Sequence, residues 1–175
     1  MTNEKNQKIL IEALEKSSDD KVISMLIDLK EHGKLFYLEP LLKMMISKRS
    51  DVLKKNLLEF FSDIKQQEAA PIIANFIGQH SNTPELTEVL TASWQSRLDF
   101  TEHLNIFFGI LIGSSYQNAF EAFTVIENNI DGLTTNQIDE HIAMVKGALE
   151  ASSHDKKLLL LEMIGVLDKT RRAAQ

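Results

Sequence analysis

The residue types best suited to chemistry are concentrated in one short stretch, between Trp94 and His103. The stretch supplies an indole, a guanidinium, two carboxylates and an imidazole, from Trp94, Arg97, Asp99, Glu102 and His103. Such a group could form a binding surface or support catalysis. It could also be structural, with Trp94 in the core and with Arg97 and Asp99 hydrogen bonding across a turn. The sequence leaves these three interpretations open.

No other pattern in the sequence indicates an enzyme. The chain has no cysteine, and its five histidines are scattered, with neither an i, i+4 pair nor the HExxH spacing of zinc sites. Nucleophile-elbow, dinucleotide-binding and P-loop glycine patterns are also absent. Asp139, Glu140 and His141 are adjacent, and because successive helical residues point to different sides, they predict a solvated helix face. We therefore expect no catalytic residue, no metal and no cofactor.

The charge of the chain is unevenly distributed around a net value of −6. Residues 66–153 contain only Arg97 and Lys146 as cations against 11 Asp and Glu residues. A surface this acidic repels a phosphate backbone, so we expect no nucleic-acid partner. It is either a solvated face that keeps the protein soluble or a surface for a basic partner. The expected partner-binding residues are Glu85, Glu88, Trp94, Arg97, Asp99, Glu121 and Glu127, with Asp131 as a further carboxylate.

A repeat in the sequence indicates which elements position these residues. LEPLLKMMI (38–46) is matched 31 residues later by AAPIIANFI (69–77), and Leu10 lies 31 residues before Leu41. Only 7 Gly and 3 Pro interrupt the chain, which favours long helices over the dense turns of an all-β fold. A unit of this length cannot bury its own apolar face and must stack on its neighbours. The sequence thus predicts an all-α chain of stacked helix pairs.

The helical pattern divides a single domain into five units, each a pair of helices that we label A and B in chain order. We expect these units at 3–33, 34–65, 66–98, 99–132 and 133–170, with a frayed tail at 171–175. Pro40 should lie in the first turn of its helix or kink it. IFFGILI (106–112) is apolar on every side, and the repeat register favours a buried helix there over a strand. Thr134 and Gln137 have the spacing of a capping box.

The unit length of 31 to 34 residues with a proline in helix A, seen in LEPLLKMM and AAPIIANF, resembles HEAT-type repeats over nearly the whole chain. That resemblance implies a right-handed α–α superhelix, a HEAT-like solenoid of about five antiparallel helix pairs, and a role as a binding scaffold. Because no catalytic pattern is present, we expect a non-enzymatic scaffold for protein–protein interaction. Its concave face would carry the acidic residues of the B helices and bind a basic protein.

Trp94, Arg97 and Asp99 together also resemble the residues of DNA-repair base glycosylases that are built from HEAT-like repeats. That resemblance implies an alternative, a nucleic-acid base hydrolase acting through Trp94 and Asp99. Such an enzyme needs a positively charged path to the site, whereas the segment around these residues is strongly acidic. The interaction scaffold is therefore the preferred interpretation.

A second surface is indicated by LLLLEMIGVL, from Leu158 to Leu167, which is apolar around much of a helix. The last helix of a repeat stack usually has a polar outer face. This helix is therefore buried in the last unit, used for self-association, or in contact with a membrane surface. No run of about 18 apolar residues is present, and residues 1–8 do not resemble a signal peptide. We expect a cytoplasmic protein with no membrane partner.

Overall fold

The computed structural model describes residues 2–173, and this range is all-helical, with no strand. Its α-helices are α1 (Thr2–Glu15), α2 (Asp19–His32), α3 (Leu38–Met45), α4 (Asp51–Ser62), α5 (Ala69–Gln79), α6 (Leu86–Ser96), α7 (Leu104–Gly113), α8 (Tyr116–Asn129), α9 (Thr135–Ala148) and α10 (His154–Ala173). Short 3₁₀ turns occur at Leu35–Tyr37, Thr101–His103 and Ile130–Gly132. The predicted all-α class is confirmed.

Polar side chains fix the points at which several helices begin. At α9, the hydroxyl oxygen of Thr134 accepts a hydrogen bond from the Gln137 backbone N–H, and the Gln137 side chain accepts one from the Thr134 N–H. This is the predicted capping box. Ser50 before α4 and Ser115 before α8 each accept a hydrogen bond from the backbone N–H three residues ahead. These caps satisfy N–H groups that lack an intrahelical partner.

Pro40 accounts for the irregular start of the second unit. Leu35–Tyr37 form a 3₁₀ turn and α3 begins at Leu38, so Pro40 lies in the first turn of the α-helix. Proline has no backbone N–H, and the first turn is the part of a helix whose N–H groups have no intrahelical partner. The expectation that Pro40 is confined to a first turn is confirmed.

The helices pack in two rows. Each odd-numbered helix from α1 to α7 contacts the next odd-numbered helix, and each even-numbered helix from α2 to α8 contacts the next even-numbered one. From α3 onward, each odd-numbered helix also packs on the even-numbered helix that follows it. A hydrophobic core is shared by helices of both rows and includes residues from α1 to α10.

Helix α7 lies in the middle of this core. Its IFFGILI segment is the buried helix that the repeat register predicts, since Phe107, Phe108 and Leu111 are 0% exposed. The Phe107 ring meets the Phe100 ring edge to face, with centroids 5.2 Å apart. Aromatic pairs in this geometry add to the stabilisation that burial provides.

Side-chain hydrogen bonds between helices recur at a regular spacing in the sequence. Pairs 30 to 33 residues apart are Asp19 with Arg49, Lys30 with Asp63, Thr87 with Asn118, and Asp139 with Arg171. The spacing agrees with the 31-residue repeat in the sequence. Side-chain hydrogen bonds between neighbouring helices therefore recur at similar positions of the repeat along the chain.

The two ends of the chain differ from the sequence-based expectation. Leu10 is 46% exposed, although the equivalent Leu41 is 0% exposed. Helix α1 packs mainly on α3, whereas α3 contacts helices on several sides, so the first unit covers less apolar surface. Residues 171–173, predicted to be frayed, belong to α10, and the Arg171 guanidinium lies 2.7 Å from the Asp139 carboxylate. Residues 174–175 of that tail lie outside the described range.

His141 departs from the predicted solvated face of α9. It is 6% exposed and stacks on Phe108 with ring centroids 3.9 Å apart. Helical periodicity places His141 on the same side of α9 as the buried residues Ile138 and Val145. Burial lowers the pKa of His141 below its ordinary value of 6.5, so the imidazole is neutral at neutral pH. The residue is therefore a core side chain, while its two predecessors in the sequence are exposed.

Candidate partner-binding cleft

A cleft of about 830 Å³ opens at the carboxyl ends of α6 and α8. It is lined by the end of α6, the turn that follows, and the end of α8 with its 3₁₀ turn. Three of the predicted residues, Trp94, Arg97 and Asp99, line this opening together. Asp131 joins them from the α8 side. We call this opening the α6–α8 cleft.

Arg97 determines how the chain leaves α6. Its backbone has φ 60° and ψ 20°, the left-handed conformation that often ends a helix. Within residues 2–173, no other non-glycine residue has a positive φ. The turn sends Leu98, which is 5% exposed, into the core, while Arg97 and Asp99 are exposed and line the cleft. Two charged residues on either side of a core leucine thus reach the same opening.

Asp99 holds this turn in place. Its carboxylate accepts a hydrogen bond from the Thr101 backbone N–H at 2.8 Å, and its own N–H donates to the Gln67 side-chain oxygen at 3.0 Å. Hydrogen bonding to Thr101 lowers the pKa of Asp99 below its ordinary value of 3.8, so this carboxylate is ionised at neutral pH. The Arg97 guanidinium forms no ion pair with any residue of the described range. The turn-holding role is therefore confirmed for Asp99 and not for Arg97.

Trp94 forms a fixed wall of the cleft. Its ring is partly buried and packs against the hydrophobic core. The indole N–H donates a hydrogen bond to Oε2 of Glu121 on α8 at 2.7 Å, and the Thr91 hydroxyl donates to the same oxygen at 2.9 Å. The predicted core role of Trp94 and its position in the cleft are thus both present in one side chain. Glu121 acts through these hydrogen bonds, by orienting the indole.

Asn129 shapes the cleft from the other side, a role that the sequence analysis does not predict. Its side-chain oxygen accepts a hydrogen bond from the Phe100 N–H at 2.8 Å, and its backbone carbonyl accepts one from the Thr101 hydroxyl at 3.2 Å. These bonds tie the end of α8 to the turn after α6. The available signal was the asparagine itself at the end of an apolar helical pattern, since asparagine side chains favour turns and helix ends.

None of the predicted glutamates is among the residues that line the cleft. Glu85 is exposed immediately before α6, and Glu88 lies in the first turn of that helix. Helix α6 has 11 residues and is therefore roughly 16 Å long, so these two glutamates are far from its carboxyl end. One carboxylate oxygen of Glu88, Oε2, is shielded from solvent and has no hydrogen-bond partner within residues 2–173. Glu127 is exposed on α8, one turn before Asp131.

No model of a known protein family matches the sequence, and no significant match was found among curated proteins or solved structures. Among residues 2–173, no group of three or more His, Cys, Asp or Glu side chains is placed to hold a metal ion. Over the same range, every helix is too short or too polar to cross a membrane. The geometry and charge of the α6–α8 cleft are therefore the basis for assigning a function.

Proposed function

We propose that this protein is a non-enzymatic scaffold that binds a basic segment of another protein, with the α6–α8 cleft as the principal contact. The observation that carries the proposal is the open cleft in which the exposed carboxylates of Asp99 and Asp131 lie with the indole of Trp94. Carboxylates pair with lysine and arginine side chains, and the face of an indole also attracts cations. The cleft thus offers two kinds of favourable contact to one basic side chain.

We further propose that the ten α-helices form a right-handed superhelix of five antiparallel pairs, similar to a HEAT-like solenoid. Support comes from the two rows of helices, since stacked helical repeats produce such rows. From α2 to α8, neighbouring helices of the even-numbered row make more extensive contact than those of the odd-numbered row. In a curved stack the inner row is the more closely packed one. The even-numbered row, which contributes the ends of α6 and α8 to the cleft, would then be the concave face.

The charge of the central segment favours a basic partner. Residues 66–153 contain 11 acidic residues and only Arg97 and Lys146 as cations. A field of one sign raises the rate at which an oppositely charged partner arrives and is weakened by salt. On the α8 side Asp131 lines the cleft, and the exposed Glu127 is next in sequence to the lining residue Asn128. We expect these two residues to contribute to affinity without contributing to the fold.

The alternative, a base hydrolase acting through Trp94 and Asp99, agrees less well with the cleft. A phosphate backbone needs several cations along its path, and Arg97 is the only cation that lines the described cleft, where Asp99 and Asp131 are also present. The Trp94 indole N–H is already bonded to Glu121. The structure therefore offers more to a basic side chain than to a nucleic acid.

A binding experiment with defined charge variants tests the proposal. The probe is a fluorescein-labelled octapeptide of alternating arginine and serine, titrated with protein while anisotropy is recorded. We expect the double variant Asp131→Asn/Glu127→Gln to weaken binding by up to roughly thirty-fold, since each of two exposed ion pairs contributes up to ~1 kcal/mol. The matched control is Glu68→Gln/Glu150→Gln, which removes two exposed acids that do not line the cleft. Equal loss of affinity in the two double variants would show nonspecific attraction and contradict the proposal.

Arg97 provides a second test, in which the substitution should strengthen peptide binding instead of weakening it. Its guanidinium is the one positive charge among the described residues of the cleft, so it opposes a basic ligand. We expect Arg97→Ala to strengthen binding of the arginine–serine peptide several-fold. A loss of peptide affinity, together with retention of a DNA duplex by the parent protein at low salt, would instead favour an anionic ligand and the glycosylase-like alternative.

A further inference from the structure

A second cleft, of about 370 Å³, lies where α2 ends and α3 begins. It is lined by the end of α2, the turn and 3₁₀ segment that follow, the start of α3, and the end of α4. The α6–α8 cleft is likewise lined by a helix end, the turn and 3₁₀ segment that follow it, and the end of the next even-numbered helix, two helix pairs later. We call this second opening the α2–α4 cleft. The two openings therefore occupy equivalent positions on the same edge of the protein.

The equivalent position between α4 and α6 is bridged by more side-chain hydrogen bonds than the α2–α4 cleft, which the Lys30–Asp63 pair spans. There the Gln67 side chain forms hydrogen bonds with both the N–H and the carbonyl of Asp99. The Ser62 hydroxyl also donates to the Gln95 side chain at 2.9 Å. In the α2–α4 cleft, by contrast, apolar side chains are left partly accessible.

The floor of the α2–α4 cleft is apolar. It is formed by Leu29, Leu35, Tyr37, Leu38, Phe60 and Ile64. Leu38 and Phe60 are 6% exposed and belong to the core, whereas Leu35 and Ile64 are only partly buried. The volume of about 370 Å³ falls within the ~300–1,000 Å³ typical of small-molecule pockets, which are mostly apolar with a few polar groups. The floor thus suits an aliphatic chain or an aromatic ring.

The rim of the same cleft carries more positive than negative charge. Lys30 donates a hydrogen bond to Asp63 at 2.8 Å, and this pair neutralises itself. Lys34, Lys65 and Glu31 are the other charged residues of the lining, and all three are exposed. Neither Lys34 nor Lys65 forms an ion pair within the described range. Two free ammonium groups at the edge of an apolar floor are complementary to an anion with an apolar body.

We propose that the α2–α4 cleft binds a small amphipathic carboxylate, with its apolar body on the floor and its carboxylate at Lys34 and Lys65. The site is separate from the α6–α8 cleft, and its charge complementarity is the reverse. The proposed carboxylate site can therefore be tested independently of the proposed binding of a basic protein segment.

Calorimetric titration with decanoate tests the site. Decanoate should bind saturably, whereas acetate, which lacks the apolar body, and decyltrimethylammonium, which has the wrong charge, should not. Lys34→Gln/Lys65→Gln should weaken decanoate binding about ten-fold, the effect expected from two exposed charge pairs. The control Lys48→Gln/Lys55→Gln removes two exposed lysines that do not line the cleft and should leave binding unchanged. Equal binding of the cationic surfactant, or equal effects of both double variants, would overturn the proposal.

Methyl NMR spectra locate the bound carboxylate without relying on a variant. Decanoate should shift the methyl signals of Leu35 and Ile64 and leave those of Leu158 and Leu161, which are exposed on α10, in place. Shifts concentrated at Leu158 and Leu161 would show nonspecific association with exposed apolar surface and would refute the assignment. A short acidic peptide containing one leucine is titrated in parallel. If the peptide shifts Leu35 and Ile64 but decanoate does not, the cleft is a peptide site and the proposal is wrong.

Discussion

Replacing Phe107 with alanine should severely destabilise the protein. The side chain is 0% exposed, lies in the middle helix α7 and meets the Phe100 ring edge to face at 5.2 Å. Truncating a buried phenylalanine to alanine costs roughly 3–5 kcal/mol, through lost burial and the cavity that remains. Domains are usually stable by only ~5–15 kcal/mol, so this loss removes a large part of the total. Because α7 packs on α5, α8 and α9, a cavity there also weakens the contact between the earlier and the later helices.

Urea unfolding of the parent protein and two variants measures this effect. Asn105→Ala is the matched control, because Asn105 is exposed on the same helix and its replacement should change the free energy of unfolding by no more than ~0.5 kcal/mol. Gln7 on α1 is partly buried and is therefore less suitable as a control. If Phe107→Ala had the same urea midpoint as the parent, α7 would not be a central buried helix and the stacked arrangement would have to be abandoned.

Three further predictions concern stability and association. Hydrogen bonds from Ser50 and Arg49 lower the pKa of Asp19 from 3.8 to about 2. The Asp19 carboxylate therefore adds to the free energy of unfolding above pH 3.8, and this addition is lost as the pH falls towards about 2. The urea midpoints of Asp19→Asn and the parent should differ at neutral pH and converge in acid. Gly33→Ala should destabilise the fold by roughly 1–3 kcal/mol, because the added methyl group would collide with the Leu29 carbonyl oxygen; an unchanged melting temperature would contradict this. Leu158 is 56% exposed on α10, so we expect the protein to self-associate as its concentration rises. Leu158→Glu should reduce this association in sedimentation velocity runs. Identical profiles for the two proteins would show that Leu158 is not part of a self-association surface.

The sequence predicted the helices well where local patterns were strong. The capping box of Thr134 and Gln137 marks the start of α9 correctly, because its two hydrogen bonds involve residues only three apart. For the apolar segment at 106–112, composition alone also fits a strand and the repeat register predicts a helix, and α7 confirms the helix. Regular spacing therefore carried more information than composition did.

The sequence was less informative where burial depends on partners far away in the chain. Leu10 on α1 and Leu41 on α3 occupy the same position in the repeat, but only Leu41 is buried. Helix α3 lies between α1 and α5, whereas α1 has a neighbour in its row on one side only among the described residues. His141 follows two acids in the sequence, a pattern that predicts a solvated face, yet Phe108 on α7 stacks on its ring. In each case the deciding contact joins residues about one repeat apart, and a single sequence does not state which of those contacts form.

The candidate cleft was only partly foreseeable. Trp94, Arg97 and Asp99 were grouped because they are close in sequence, and the structure places them in one opening. The other half of the cleft comes from Asn129 and Asp131, about 30 residues later. Asn129 was missed because its role is to accept hydrogen bonds from the backbone of a distant turn, which leaves no pattern in the neighbouring residues.

The most direct test of the central proposal uses the single tryptophan of the chain as a reporter, because Trp94 lines the α6–α8 cleft. Titration with the unlabelled arginine–serine octapeptide should change the fluorescence of Trp94 saturably. The apparent affinity should fall as salt is raised, since exposed charge pairs are screened. It should also fall in the Asp131→Asn/Glu127→Gln variant and not in Glu68→Gln/Glu150→Gln. Binding detected by anisotropy without any change at Trp94, or binding that is insensitive to salt, would contradict the assignment of the cleft to a basic partner.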